Sequence, residues 1–249
     1  MRQIVLNALC IALTLGQSVA QDTALDIIRK SEDLVRGTTF TGSYKLTIIR
    51  SDWQRVLEMD TWVEGSDYAF IRITSPAKER GVAFLKLQRE MWQYVPRINR
   101  VIKIPPSMMM QSWMGSSFTN DDLVRESSLV KDYDHTLLGE EELDLGPAWK
   151  IDMATKPEAP IAWDRVLYWV RKEDFVPLRA EFYNERGERV RTMTYSEIEE
   201  LNGHIVPSRL ELVEDRWPDR KTILDITAAT FNERIDPSVF TQHNLRRVP

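Results

Sequence analysis

A two-residue hydrophobic period, which returns in short segments along most of the chain, is the feature that most constrains the fold. Between Thr41 and Ala229 these segments alternate apolar and polar residues, and turn sequences such as Asn184-Glu185-Arg186-Gly187 separate them. Side chains of a β-strand point alternately to the two faces of a sheet, so this pattern predicts strands. We count eleven to thirteen of them in meander order. Antiparallel strands at this density curl into a barrel or a sandwich.

One helical segment precedes the strands. Apolar residues recur at helical spacing over residues 22–36, and charged residues fill the opposite side. Asp22 or Thr23 can cap the first turn, and Gly37 suits the end of the helix. A single amphipathic helix followed by strands has to bury its apolar stripe, so we expect it to pack against the sheet.

The first twenty residues, 1–20, are predicted to be a signal peptide. Arg2 supplies the positive charge, and residues 4–15 form an apolar core that is too short to span a bilayer comfortably. Ser18-Val19-Ala20 offers small residues at the cleavage site, and we expect cleavage after Ala20. No second apolar run of membrane length follows. The mature protein is therefore expected to be soluble in the periplasm of a Gram-negative host.

The single cysteine of the chain, Cys10, lies inside the apolar core of this signal. Leu9 directly before it, and its early position, argue against lipidation. The mature chain then has no disulfide, no thiolate metal site and no thiol nucleophile, so its core must stabilise it. Residues 21–249 contain no linker and no repeat that would divide them, and we predict one domain there.

The charge of the chain argues against a general nucleic-acid role. Its 33 basic and 38 acidic residues give a formal net charge of −5. Phosphate binding needs a basic face, whereas here the two signs are mixed along the chain, as on a solvated surface.

The sequence contains no motif that indicates catalysis. His135, His204 and His243 are too far apart for metal-ligand spacing. The cluster Asp132-Tyr133-Asp134-His135 is the one local group that resembles a metal site, and an acidic turn before a strand explains it better. We predict no catalytic residue, no metal site and no cofactor.

A methionine-rich loop (residues 105–123) interrupts the strands and reads PPSMMMQSWMGSSFTNDDL, with four of the nine methionines of the chain. Methionine side chains are flexible and polarizable, so a cluster of them adapts to partners of irregular shape. The loop is predicted either to cover an open end of the core or to gate an apolar ligand. At its end Thr119 or Asn120 can cap a short helix, and Asp121 and Asp122 favour the positive end of its dipole.

Eight tryptophans are spread over most of the predicted sheet. For each one singly, core packing is the better interpretation. As a set they indicate more, because a curled sheet whose concave face carries aromatic residues and methionine encloses a wide apolar cavity.

Several motifs between residues 81 and 123 occur in a fixed order. Gly81-Val82-Ala83-Phe84-Leu85 is followed by Met91-Trp92-Gln93-Tyr94-Val95-Pro96, then by Arg100-Val101, then by Met114-Gly115-Ser116-Ser117-Phe118-Thr119-Asn120-Asp121-Asp122-Leu123. This order resembles the outer membrane lipoprotein-sorting protein family, relatives of the periplasmic lipoprotein carrier LolA. The family has a strand pair with W-x-Y-x-P and a loop that ends in M-G-S-x-F-x-x-x-D-L. The signal peptide, first helix and strand count also agree.

The resemblance implies a mainly β fold: an incomplete, half-open antiparallel β-barrel of about eleven strands. An N-terminal amphipathic helix and a loop or short-helix lid would close it around an apolar cavity for acyl chains. It implies a non-enzymatic carrier that moves a lipid or acylated protein toward the outer membrane, together with an inner-membrane exporter of the RND or ABC type. The residues predicted to form the lipid cavity and its lid are Trp92, Tyr94, Met108, Met109, Met110, Trp113, Met114 and Phe118.

Two alternatives remain beside the carrier. In the first, the protein is an interaction module that docks on an RND-type exporter, its core is simply packed, and the methionine-rich loop inserts into a pocket of the partner. In the second, it is a hydrolase that uses scattered carboxylates such as Asp121, Asp122 and Asp134. A filled core with the loop projecting outward would favour the interaction module.

Overall fold

A computed structural model describes residues 23–88, 90–124, 128–157, 159 and 163–247 of the protein. The predicted signal peptide and its cleavage site lie outside these residues. The helices are α1 (Ala24–Arg36), α2 (Asn120–Val124) and α3 (Gln242–Leu245). The strands are β1 (Thr39–Ile49), β2 (Gln54–Glu64), β3 (Tyr68–Ser75), β4 (Ala83–Leu87), β5 (Glu90–Val95), β6 (Arg100–Ile104), β7 (Tyr133–Leu143), β8 (Gly146–Thr155), β9 (Arg165–Arg171), β10 (Pro177–Tyr183), β11 (Arg189–Leu201), β12 (His204–Glu214) and β13 (Trp217–Phe231).

The thirteen strands form one sheet in the order β6-β5-β4-β3-β2-β1-β13-β12-β11-β10-β9-β8-β7. All pairs are antiparallel, and neighbours in the sheet are neighbours in the chain except where β13 returns to pair with β1. Within the described residues β6 and β7 are edges that do not pair with each other, so the sheet curls without closing. The predicted half-open antiparallel barrel is confirmed, with thirteen strands where the resemblance implied about eleven.

The two faces of the sheet carry separate cores. On β3, Ile71 and Ile73 point to the main core, which takes side chains from most strands and from α1; we call this the inner face. Phe70, one position along, points to the outer face, where it packs with Phe240 and Leu245 of the C-terminal segment. Both faces of this strand are therefore apolar and buried, as the alternation predicted.

Helix α1 lies against the inner face. Thr23 caps it: the Asp26 backbone N–H donates to Thr23 Oγ1 at 3.2 Å, and the Thr23 N–H donates back to Asp26 Oδ2 at 3.4 Å. Ile27 and Ile28 are fully buried in the main core. Gly37 ends the helix with φ +59°, a conformation that favours glycine. The predicted helix and its stripe are confirmed, and Asp22 lies outside the described residues.

The C-terminal segment covers part of the outer face. Phe240 is buried beside Tyr68, with ring centroids 5.7 Å apart, and Val239 is partly buried in the same cluster. These two side chains anchor the segment to the sheet. In the described part of the chain, no helix is both long and apolar enough to cross a membrane.

Candidate ligand-binding cavity

A cavity of about 200 Å³ lies on the inner face, between the sheet, α1 and the methionine-rich loop. Its walls come from strands on both sides of the β1–β13 pair, which places it in the middle of the curled sheet. Most of the lining is apolar or aromatic, with a few polar groups at defined places, which is the usual composition of a small-molecule site. The lining residues are Glu32, Val35, Arg36, Phe40, Tyr44, Thr61, Val63, Ala69, Ile71, Phe118, Asp121, Asp122, Leu129, Tyr133, Trp163, Val166, Tyr168, Phe182, Met193, Tyr195, Val206, Pro207, Leu210, Leu224 and Ile226.

Aromatic pairs form much of the cavity wall. Phe40 stacks on Tyr44 with centroids 5.6 Å apart, and Tyr168 meets Tyr195 edge-on at 6.3 Å. Gly42 makes the first pair possible, because a Cβ at this position would lie 2.5 Å from the Phe40 ring. The absence of a side chain therefore lets the Phe40 ring fold back over β1.

The methionine-rich loop is folded inward and held by its backbone. The Trp113 N–H donates to the Phe118 carbonyl at 2.8 Å, and the Asp121 N–H donates to the Met109 carbonyl at 3.0 Å, so the loop is bonded to itself. Trp113 is only 1% exposed and packs against Phe84, with centroids 5.3 Å apart. The loop thus closes one end of the inner face and does not project from the protein.

Three side chains at the central strands hydrogen-bond to the loop: Arg50 directly after β1, Arg55 on β2 and Thr222 on β13. Arg50 donates to the Gly115 carbonyl at 2.8 Å, and Arg55 donates to the carbonyl of Met114. Thr222, fully buried on β13, accepts a hydrogen bond from the Ser117 N–H at 2.9 Å. These contacts fix the loop to β1, β2 and β13, the central strands of the sheet.

A buried ion pair joins the end of the loop to β11. Arg191 donates to both carboxylate oxygens of Asp122, at 2.6 and 2.7 Å, and its side chain is only 2% exposed. The guanidinium lies between Trp163 and Phe182, 4.2 and 4.3 Å from their ring centroids. Asp122 also accepts hydrogen bonds from the N–H and the hydroxyl of Thr119, each at 2.8 Å. Thr119 therefore caps α2, as predicted.

The charge state of Asp122 follows from these contacts. Burial by itself raises the pKa of a carboxyl group, but the Arg191 guanidinium and the hydrogen bonds from Arg191 and Thr119 outweigh burial and hold the pKa of Asp122 below its usual value. The pKa of the neighbouring Tyr133 shifts in the opposite direction, because burial and the carboxylates of Asp121 and Asp132 raise it. This part of the wall therefore combines an ionised pair with a neutral phenol.

A second ion pair lies at the α1 side of the cavity. Arg36 donates to Glu32 at 2.7 Å, and the two side chains are 16% and 11% exposed. Because both residues line the cavity, the helix presents a neutralised pair to the interior rather than a single charge.

The predicted site residues from the methionine-rich loop divide into three groups. Phe118 lines the cavity directly. Trp113 and Met109 are buried in the main core, and Met114 packs against it while partly exposed. The two remaining methionines, Met108 and Met110, are 38% and 39% exposed.

Trp92 and Tyr94 lie elsewhere. Both point to the outer face of β5 and are buried in the cluster covered by the C-terminal segment. They do not line the cavity, and the thickness of the sheet separates them from it. The structure therefore does not bring these two together with the other six predicted residues. The ligand contacts assigned to all eight stay a prediction.

The outer face carries a second, more open depression of about 490 Å³. Its walls include Ser43, Asp60 and Glu200, and Ser43 already donates to Asp60 at 2.7 Å. An open groove with charged and hydroxyl walls leaves apolar cargo in contact with water, so we regard the inner cavity as the candidate site.

The histidine cluster considered above as a metal site serves local structure. Asp132 accepts a hydrogen bond from the Ser128 N–H at 2.6 Å, and a ring nitrogen of His135 lies 2.7 Å from the Leu129 carbonyl oxygen. Burial lowers the pKa of His135. Across the described ranges, no group of three or more His, Cys, Asp or Glu residues could hold a metal ion.

The structure brings together residues at the cavity that the sequence did not connect. Arg191 and Asp122 are far apart in the chain, and no local pattern connects them. The alternation pattern places Tyr168 and Tyr195 each on one face of its strand, but it does not reveal that both side chains meet on the inner face, from strands on either side of β10.

The open sheet, the loop that covers it and the apolar interior place this protein in the class of half-open β-barrels. Solved structures of other proteins share this fold. A DUF1329 family protein from Desulfovibrio piger has a TM-score of 0.82 at 22% identity, covering 89% of this chain and 97% of that one. A putative outer membrane lipoprotein-sorting protein domain from Vibrio parahaemolyticus has 0.79 at 18%, covering 90% and 98%. A LolA superfamily protein from Nitrosomonas europaea has 0.76 at 21%, covering 90% and 100%.

Residues 65–247 match the model of a family described as "-like: Uncharacterized protein", and the chain belongs to that family. No curated protein matches the chain. The resemblance to outer membrane lipoprotein-sorting proteins, indicated by the motifs in residues 81–123, is confirmed in the fold.

Proposed function

We propose that the protein is a periplasmic carrier, exported with a cleaved signal peptide, that binds the acyl chains of a lipid or lipoprotein in the inner cavity and moves them toward the outer membrane. The cavity itself is the observation that carries this proposal, since it is apolar, interior and covered by α1 and the methionine-rich loop. Each methylene group that moves from water into such an interior gains about 0.8 kcal/mol. Binding of this kind uses no catalytic residue and no cofactor.

The size of the cavity bears on how cargo enters. Its volume of about 200 Å³ is below the roughly 300–1,000 Å³ that ligand sites commonly have. A complete acyl chain therefore fits only after α1 or the methionine-rich loop has moved away from the inner face. The same movement releases the cargo.

The direction of the loop favours a carrier over an interaction module. Trp113 and Phe118 point into the protein, with exposed fractions of 1% and 4%, so they are not available to a partner. Met108 and Met110 are exposed, and flexible methionines suit a surface that meets more than one partner. We propose these two as the contact with an inner-membrane exporter of the RND or ABC type.

The hydrolase alternative has less support. The carboxylate of Asp122 is neutralised by Arg191, and Asp134 lies exposed on the edge strand β7. Neither arrangement provides the pair of facing carboxyl groups, one of them protonated, that acid–base hydrolysis requires.

A cavity-filling variant tests the proposal. Ala69 lines the cavity, so we expect the added ring of Ala69→Phe to occupy the space for a ligand and to weaken binding of the uncharged fluorescent probe N-phenylnaphthylamine by about tenfold or more, which corresponds to about 1.4 kcal/mol. Ala228→Phe is the matched control, because it makes the same substitution at an exposed position of β13 in the wall of the outer depression. If the two folded variants bind the probe with equal affinity, or if Ala228→Phe loses more affinity than Ala69→Phe, binding in this cavity is contradicted.

A further inference from the structure

One polar group inside the cavity has no partner. The hydroxyl of Thr61 is buried, with the residue 4% exposed, and it makes no hydrogen bond to any described residue. Buried hydroxyl groups are ordinarily paired, because an unpaired one loses the hydrogen bonds it made to water. An unpaired hydroxyl in a cavity wall is therefore a group to which a ligand in the cavity can form a hydrogen bond.

The neighbours of Thr61 explain why the protein offers no partner. Directly opposite it stand Gly42 on β1, which has no side chain, and Ile71 on β3. On the same face of β2 its neighbours are Met59 and Val63. A water molecule at such a place finds few polar groups to bond, whereas an interior water usually needs two to four. The hydroxyl is thus a single donor set in apolar surroundings and facing the cavity.

The charges around the cavity restrict what can reach this hydroxyl. The two guanidinium groups at the described cavity wall are already paired, Arg36 with Glu32 and Arg191, behind the wall, with Asp122. A ligand carboxylate would therefore lose its hydration without a free cation to replace it. An uncharged oxygen avoids this cost.

We propose that the Thr61 hydroxyl is a binding subsite for an uncharged, hydrogen-bond-accepting oxygen of the cargo lipid, such as an ester carbonyl, and that the cavity excludes free fatty acids. This deepens the proposed function and rests on it, because it takes the cavity to hold a lipid. Thr61 Oγ1 donates to the lipid oxygen, and the chain beyond that oxygen lies against the aromatic wall of Phe40 and Tyr44.

Three probes of equal chain length test this subsite: methyl palmitate, palmitate and hexadecane, each measured by displacement of N-phenylnaphthylamine from the mature full-length protein. We expect the wild type to bind the ester most tightly and the carboxylate least. Thr61→Val keeps the shape and removes the hydroxyl, and it should weaken ester binding roughly five- to tenfold while leaving hexadecane unchanged. Thr61→Ser, which keeps the hydroxyl, should retain the preference for the ester.

The stability of the ligand-free protein gives an independent readout. Because the hydroxyl has no partner in the protein, Thr61→Val should unfold at the same denaturant concentration as the wild type or higher. If the wild type binds the probes but Thr61→Val leaves the ester affinity unchanged, or if palmitate binds more tightly than its ester, the subsite is overturned alone. If the wild type binds none of the three probes, the carrier proposal fails with it.

Discussion

Asp122, at the end of the methionine-rich loop, is joined to β11 by a buried ion pair. Its contacts to Arg191 are bidentate and buried, and breaking a buried pair from one side leaves an uncompensated charge. We expect Asp122→Asn to lower the free energy of unfolding by about 3 kcal/mol at neutral pH, measured by urea denaturation. The double variant Asp122→Leu/Arg191→Met should lose less free energy of unfolding than Asp122→Leu alone. An equal or larger loss would contradict a stabilising ion pair between the two residues.

The same carboxylate predicts how stability depends on pH. Because the folded state holds the pKa of Asp122 below its ordinary value of 3.8, the unfolded state binds the proton more readily. The contribution of this group is therefore complete at neutral pH and falls as the pH drops below about 3.8. In Asp122→Asn we expect this acid-dependent loss to be smaller. A pH–stability curve with the same acid slope as the wild type would contradict the assignment.

Trp113 and Met110 belong to the same loop but differ in burial, 1% against 39% exposed. Truncating a buried tryptophan costs about 3–5 kcal/mol, whereas an exposed side chain changes stability by about 0.5 kcal/mol or less. Trp113→Ala should therefore strongly lower the denaturation midpoint, and Met110→Ala should leave it almost unchanged. Similar effects of the two substitutions would mean that the loop does not point inward.

At the scale of elements, the methionine-rich loop is predicted to move as a unit. Arg50 and Arg55 hold its backbone at Gly115 and Met114. We expect the double variant Arg50→Met/Arg55→Met to raise amide hydrogen exchange in residues 105–118 about tenfold or more, because each hydrogen bond to a charged group contributes about 1.5–3 kcal/mol. The exchange of α1 should not change.

The matched control for that experiment lies on the outer face. Arg72 donates to the Asn244 carbonyl at 2.6 Å, so Arg72→Met removes the same kind of contact from the C-terminal segment. Exchange should then rise in residues 235–245 and stay unchanged in the loop. If the two variants loosen the same segment, the loop is not an independent lid.

The sequence predicts the elements well where the two-residue period is regular. The period predicts strands over residues 100–104 and 188–196; the first is β6, whereas β11 spans Arg189–Leu201. Glu197 has φ +52°, but the register with β12 continues without a shift from Ser196 opposite Arg209 to Ile198 opposite Pro207. The glutamates at 197, 199 and 200 hide the apolar alternation there, so the sequence resembles a strand end.

The candidate site is less predictable from the sequence than the elements are. Alternation assigns Trp92 and Tyr94 to one face of β5 but does not say which face lines the cavity, because the C-terminal segment makes the outer face apolar as well. The Asp122–Arg191 pair and the orphan hydroxyl of Thr61 depend on which strands become neighbours. That order is a property of the whole sheet, in which β13 returns to β1.

At the scale of the whole molecule, the open sheet suits the proposed carrier function, in which the interior closes over cargo and later releases it. Within the described residues β6 and β7 do not pair, so closure of the interior depends on α1 and the methionine-rich loop rather than on backbone ladders. Side-chain contacts and a few hydrogen bonds are easier to break reversibly than a strand pair. We therefore expect the interior to open while the sheet stays folded.

Native mass spectrometry of the protein purified from the periplasm without detergent tests the central claim most directly. We expect a population whose excess mass matches an acyl-containing lipid or lipoprotein, which is lost in Ala69→Phe and retained in Ala228→Phe. Protein that is consistently empty, and that also fails to take up N-phenylnaphthylamine, would contradict the carrier function.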